Sequence, residues 1–154
     1  MVAPQKVSRN GDGPFHGLAW NAFVHLCATE EIISLCPIQK PAALAFWYMS
    51  EINNGGHFQY FVNKADFDHR EVITALQNLG ANQCAVILES ALRMVEFLLP
   101  LTFPQAAERY LEAQEEVQLS EFDDAFYKSG DGEIMRRLED YLAAHEASFI
   151  EWTT

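Results

Sequence analysis

A chain of 154 residues, 49% of them hydrophobic, carries enough apolar side chain for one real core, which excludes an intrinsically disordered polypeptide. Its net charge of −12 is uneven: residues 1–103 hold 9 acidic and 6 basic side chains (−3), and residues 104–154 hold 13 acidic and 4 basic (−9). Phosphates need cationic neutralisation, so direct binding to nucleic acid is disfavoured.

Residues 1–14 lack an apolar h-region and are rich in Pro, Gly and polar side chains. They read as a flexible N-terminal tail rather than a secretory signal. Residues 15–154 then form the expected folded unit. Phe15, Leu18, Ala22, Phe23, Leu26 and Ile33 recur at helical spacing, and Pro37 interrupts the pattern. Pro41 suits the first turn of a second helix, which runs through Leu44, Trp47 and Tyr48 to Ile52. Asn54, Gly55 and Gly56 tolerate positive φ and are expected to end it. A short helix restarts at His57 and stops near Asn63. Asp68 and Glu71 have capping-box spacing ahead of Val72, Ile73, Leu76 and Leu79, and Gly80 closes that helix. Asn82 is placed to cap the next, in which Cys84, Ile87, Leu88, Ala91, Leu92, Val95 and Leu98 keep the apolar stripe up to Pro100.

After Pro104 a helix is expected over residues 105–118. Ala107, Tyr110, Leu111, Gln114 and Val117 cluster on one side; Glu108, Glu112, Glu115 and Glu116 fall on the other. Carboxylates four residues apart rise ~6 Å per step, so they build a negative stripe ~10 Å long. Such like-charge pairs cost a few tenths of a kcal/mol each. Glu121, Asp123 and Asp124 extend the stripe and complete a candidate protein-binding acidic face. Against it stands the plainer reading of a solvated surface that aids solubility. Ser120 with Asp123 forms a second capping box, and Asp131, between Gly130 and Gly132, is placed to cap a last helix with Ile134, Leu138, Tyr141, Leu142, His145 and Phe149 inward. No strand alternation appears and no internal repeat. The expected fold is all-α, one domain of about six to eight helices without significant sheet. No apolar run reaches the ~18 residues of a membrane span; residues 41–49 and 97–101 are the longest.

The stretch Glu51-Ile52-Asn53-Asn54-Gly55-Gly56-His57-Phe58-Gln59-Tyr60-Phe61-Val62-Asn63 is apolar enough for a core yet dense in amides. Buried amides cost free energy unless each finds a partner. Glu51, Asn54, Gly55, Gly56, Gln59 and Asn63 therefore mark either a structural corner, with side-chain amides satisfying orphaned backbone groups, or a polar pocket in which Glu51 and His57 act as base and acid. The structural reading is preferred, and no catalytic residue is assigned. His16, His25, His57, His69 and His145 show no metal-ligand spacing, and Cys27, Cys36 and Cys84 form no CxxC, so neither metal nor cofactor is expected. Three cysteines in apolar surroundings fit buried thiols in a reducing, cytoplasmic setting.

This motif resembles the signature of a bacterial all-helical family of unassigned function whose best-known member is a DNA mimic. Asn54, Gly55, Gly56, Gln59, Tyr60, Phe61 and Asn63 carry the resemblance. Leu79-Gly80-Ala81 and Ser120-Glu121-Phe122-Asp123-Asp124-Ala125-Phe126-Tyr127 extend it over residues 40–150. The resemblance implies an all-α fold without established catalysis and a surface of carboxylates standing in for phosphates. The expected partner is a basic protein, such as a DNA-binding regulator, with neither direct nucleic-acid nor membrane contact; pairing with a second copy is also compatible. The alternatives are a small enzyme using the Glu51, His57, Gln59 and Asn63 pocket, and an inhibitory or immunity partner of a toxin or nuclease.

Overall fold

The computed structural model describes residues 2–8, 15–98, 115 and 118–153. Its elements are a strand β1 (Gln5–Ser8), helix α1 (Phe15–Thr29), a 3-10 turn (Ile32–Ser34), α2 (Gln39–Asn63), α3 (His69–Leu79), α4 (Asn82–Leu98), α5 (Ser120–Ala125), a π-turn (Phe126–Gly130), α6 (Asp131–Ala144), a second 3-10 turn (Glu146–Ser148) and a strand β2 (Ile150–Thr153). Ala125, Phe126, Gly130 and Asp131 all hold right-handed helical angles, so α5 passes through the π-turn straight into α6. Counted as continuous rods, the described residues give five helices, slightly fewer than expected. Asp131 accordingly does not begin a new helix. No helix among the described residues is long and apolar enough to cross a membrane.

Local chemistry explains the boundaries. Asp68 caps α3, its carboxylate accepting from the backbone N–H of Arg70 (3.0 Å) and Glu71 (3.3 Å). Glu71 does not complete the box; it pairs with Lys40 at 2.6 Å. Gly80 ends α3 in the left-handed region (φ 81°), and the Ala81 N–H reaches back to the Leu76 carbonyl at 2.8 Å, a Schellman closure. At the start of α4 the Cys84 N–H is satisfied by the Glu133 carboxylate of α6 (3.1 Å) rather than by Asn82. Helix α5 likewise starts without a side-chain cap from Ser120: Leu119 holds the N-cap position, and the Asp123 N–H donates to the Leu119 carbonyl at 3.2 Å.

Helix α6 packs against all of α1–α4, and α5 packs against α2 and α4. The centre of the core is aromatic. Tyr48, fully buried, meets Tyr60, Phe126 and His57 edge-on with ring centroids 5.2–5.7 Å apart, geometries that match edge to face. Phe23 makes a second cluster with Trp20, Phe46 and Phe149. Ile33 is not part of the core: α1 stops at Thr29, and the 3-10 turn leaves Ile33 89% exposed.

One departure concerns the chain ends. Residues 5–8, expected within a flexible tail, pair in parallel with Ile150–Thr153, Gln5 opposite Ile150 and Ser8 opposite Thr153. Gln39 holds the junction. This fully buried amide donates to the carbonyls of Ser148 (2.9 Å) and Val2 (3.3 Å) and accepts from the Cys36 N–H (3.1 Å). Four-residue strands carry too short an alternation to read in a sequence. Residues 9–14 of the expected tail lie outside the described residues.

Candidate functional site

The glycine corner is a kink inside α2. Gly55 (φ −166°, ψ 17°) and Gly56 (φ 81°, ψ −178°) are non-helical, with helix on either side. Gly56 lies in a region that only glycine occupies at low cost. It is also a place of close approach: a Cβ there would stand 2.6 Å from Asp123 Oδ2 and 2.9 Å from Asp123 Cγ.

A kink orphans backbone groups, and they are satisfied from α5 and the π-turn, not by the amides of the motif. The His57 N–H donates to Asp123 Oδ1 at 2.8 Å, and the Tyr127 hydroxyl donates to the Ile52 carbonyl at 2.6 Å. Asn53 donates to Asp131 Oδ1 at 2.8 Å, bracing the kink against the start of α6. The expectation that Asn54, Gln59 or Asn63 bonds backbone here is corrected. Gln59 (3.2 Å) and Asn63 (2.9 Å) both donate to Glu51 Oε2, with Lys64 3.8 Å from Oε1, and Asn54 is exposed. The amides thus hold one carboxylate across the two halves of α2.

His57 is wholly buried. Its Nδ1 lies 2.6 Å from Asp123 Oδ1 and its Nε2 lies 2.9 Å from the Tyr48 hydroxyl. A neutral ring fits this network with Nδ1–H donating to the carboxylate and Nε2 accepting from the Tyr48 O–H. Burial pushes the Tyr48 hydroxyl well above the ordinary tyrosine range, and Cys84, Tyr60 and Asp123 add to the rise, so the phenol stays protonated and donating. An Asp–His–Tyr chain has the parts of a proton relay, but its tyrosine end is closed in the core. Three surface cavities of about 520, 660 and 400 Å³ are lined by other residues than Glu51, His57, Gln59 or Asn63. Glu51 and His57 hydrogen-bond to different partners, so the geometry is that of a buried clamp.

On the acidic face, Glu115, Glu121 and Asp124 are exposed, while Glu108, Glu112 and Glu116 lie outside the described residues. Asp123 is different. One oxygen is committed to His57, its side chain is 27% exposed, and it works as the lock of the kink. Nothing in the sequence pairs Asp123 with His57, 66 residues earlier; the nearest signal is the carboxylate-aromatic segment itself, whose spacing points to a cap instead. Tyr127, half exposed, has its hydroxyl pushed up by partial burial and by Asp123 and Asp131, which keeps it a donor to Ile52.

Among the described residues no group of three or more His, Cys, Asp or Glu side chains converges as a metal site. Cys27 and Cys84 are buried, the first with its thiol pushed up to about 12 by desolvation. Cys84 donates to the Gly130 carbonyl of the π-turn at 3.1 Å.

No curated protein and no solved structure gives a significant match to the chain. The profile of the DMP19-like protein family, named for DNA mimic protein 19, does match, over residues 34–145, a span containing the kinked helix, its Asp123 lock and the acidic segment between; the chain belongs to the DMP19-like protein family.

Proposed function

We propose that this chain is a non-catalytic, cytoplasmic binding protein that acts as a DNA mimic, occupying a basic DNA-binding protein through its acidic face. The observation that carries the reading is the excess of 13 acidic over 4 basic residues in 104–154 of a DMP19-like chain, with Glu115, Glu121 and Asp124 exposed. Duplex DNA presents one charge per ~1.7 Å of axis, so a competitor needs a comparably dense row of carboxylates. By helical spacing in the sequence, Glu108, Glu112 and Glu116, which lie outside the described residues, are expected to extend that row. Asp123 contributes less directly, by fixing the segment that carries Glu121 and Asp124 against the core.

The test is competition. A DNA-binding protein captured by the chain from its native host is titrated with its own duplex and with the chain, at two salt concentrations. Mutually exclusive binding with a steep salt dependence is the expected result. Replacing Glu108, Glu112, Glu115, Glu116 and Glu121 by Gln, with Asp124→Asn, slows association and flattens the salt slope. Simultaneous binding of DNA and the chain, or an unchanged slope in the neutralised variant, overturns the proposal.

A further inference from the structure

Two cavities, of about 660 and 400 Å³, lie side by side where the end of α1 and the first 3-10 turn meet α2 and α3. Ile33, Lys40, Leu44 and Glu71 line both, so they form one trough with Ile33 at its crest. Ile33 is 89% exposed, an unusual position for so large an aliphatic side chain beside a concave surface. The floor of the larger cavity includes Leu44, Trp47 and Phe67, and its wall carries Glu30, Glu31, Asp66, Asp68 and Glu71. Against these five carboxylates stand two lysines, both bound within the fold. Lys40 pairs with Glu71 at 2.6 Å; Lys64 pairs with Glu51 and stacks 4.0 Å over the Trp47 ring. Glu30, Glu31 and Asp66 have no ion-pair partner among the described residues. The trough is therefore apolar below, anionic at the wall, and already attractive to a cation over its indole.

We propose that this trough is a second docking surface, separate from the acidic face, for a basic amphipathic segment of a partner protein. Aliphatic side chains of that segment pack on Ile33, Leu44 and Trp47, while its Lys or Arg side chains meet Glu30, Glu31 and Asp66. Charge complementarity selects the basic occupant. The apolar crest and floor distinguish this surface from one that imitates a phosphate backbone, which offers charge alone.

The test uses the full-length chain and a fluorescein-labelled peptide carrying Leu and Arg at helical spacing, with a control in which every Leu is Ser. Binding is read by anisotropy and mapped by backbone NMR shifts. The Leu/Arg peptide is expected to bind, to shift resonances around Ile33, Leu44 and Trp47, and to exceed the Ser control by about tenfold or more, as burial of one or two aliphatic side chains implies. Ile33→Asp, at a position too exposed to threaten folding, should abolish that advantage; Glu121→Gln with Asp124→Asn should leave it within about twofold. Equal binding of the Ser control, an unaffected Ile33→Asp variant, shifts confined to α5, or absence of binding overturns the proposal. So does a concentration-dependent dimer that Ile33→Asp dissolves, which would assign the trough to a second copy of the chain. Loss on neutralising Glu121 and Asp124 alone would leave the acidic face standing and remove the trough.

Discussion

Replacing Gly56 by Ala tests the kink directly. At φ 81° and ψ −178° an L-residue pays about 1–3 kcal/mol in backbone strain. The new Cβ would also stand 2.6 Å from Asp123 Oδ2, nearer than such atoms pack. Asp123 cannot yield freely, because its other oxygen accepts from the His57 N–H at 2.8 Å and from His57 Nδ1 at 2.6 Å. Loosening bonds to a charged acceptor costs a further ~1.5–3 kcal/mol. The sum, about 2.5–6 kcal/mol, is a large share of the ~5–15 kcal/mol that holds a domain together. Gly55→Ala is the internal control. Its φ of −166° lies outside the left-handed region, and its Cβ would meet only the Gln59 side chain (Oε1 nearest, Cβ at 3.1 Å), which can rotate away at the cost of its bond to Glu51. Urea denaturation of the two variants should separate them by at least ~2 kcal/mol. If Gly56→Ala unfolds within ~0.5 kcal/mol of the parent, or costs no more than Gly55→Ala, the kink is not a constrained joint and the argument from Asp123 fails.

Gln39→Ala leaves two carbonyls and one N–H without their buried partner. It should cost about 2–3 kcal/mol by thermal melting and speed proteolysis within residues 2–8; an unchanged cleavage rate would refute its role as the clasp of the chain ends. His69 supplies a pH dependence. Burial depresses it below its ordinary 6.5 against the opposing pull of Asp68, Asp66 and Glu96. The unfolded chain therefore binds a proton at a higher pH than the folded one, so this contribution is complete above about pH 6.5 and is lost as pH falls through the depressed value, by no more than ~1.4 kcal/mol per unit. His69→Phe should flatten that slope below about pH 6.5, and equal slopes in both proteins would rule the residue out.

The helices were legible because each carries its own evidence. Val72, Ile73, Leu76 and Leu79 repeat on one face, Asp68 opens α3 and Gly80 closes it, all within 13 residues. The double glycine was legible for the same reason: positive φ is a local demand, and Gly56 meets it. What failed was long range. The amides beside the glycines were expected to serve the kinked backbone, yet Asp123 and Tyr127 do so from the far side of the fold. Likewise Ser120 was read as a cap with Asp123, although the carboxylate had a stronger, charge-assisted claim on His57. Glu133 took the place expected for Asn82. In each case a side chain well suited to a local bond was displaced by one delivered through tertiary packing, which no spacing rule contains.

The pairing of Gln5 with Ile150 sets an order of events in folding. Almost the whole chain must be looped out before the two strands can touch, and the closure entropy of that loop is recovered only when its ends are held near each other. The packed helices, with α6 lying against α1, supply that proximity. Strand β1 should therefore dock after the rate-limiting barrier, and its loosening belongs to unfolding rather than to refolding. A lesion at Gln39 would then leave the refolding rate nearly unchanged and shorten the lifetime of the native state, so residues 2–8 are expected to act as a kinetic latch on a fold whose helices have already assembled.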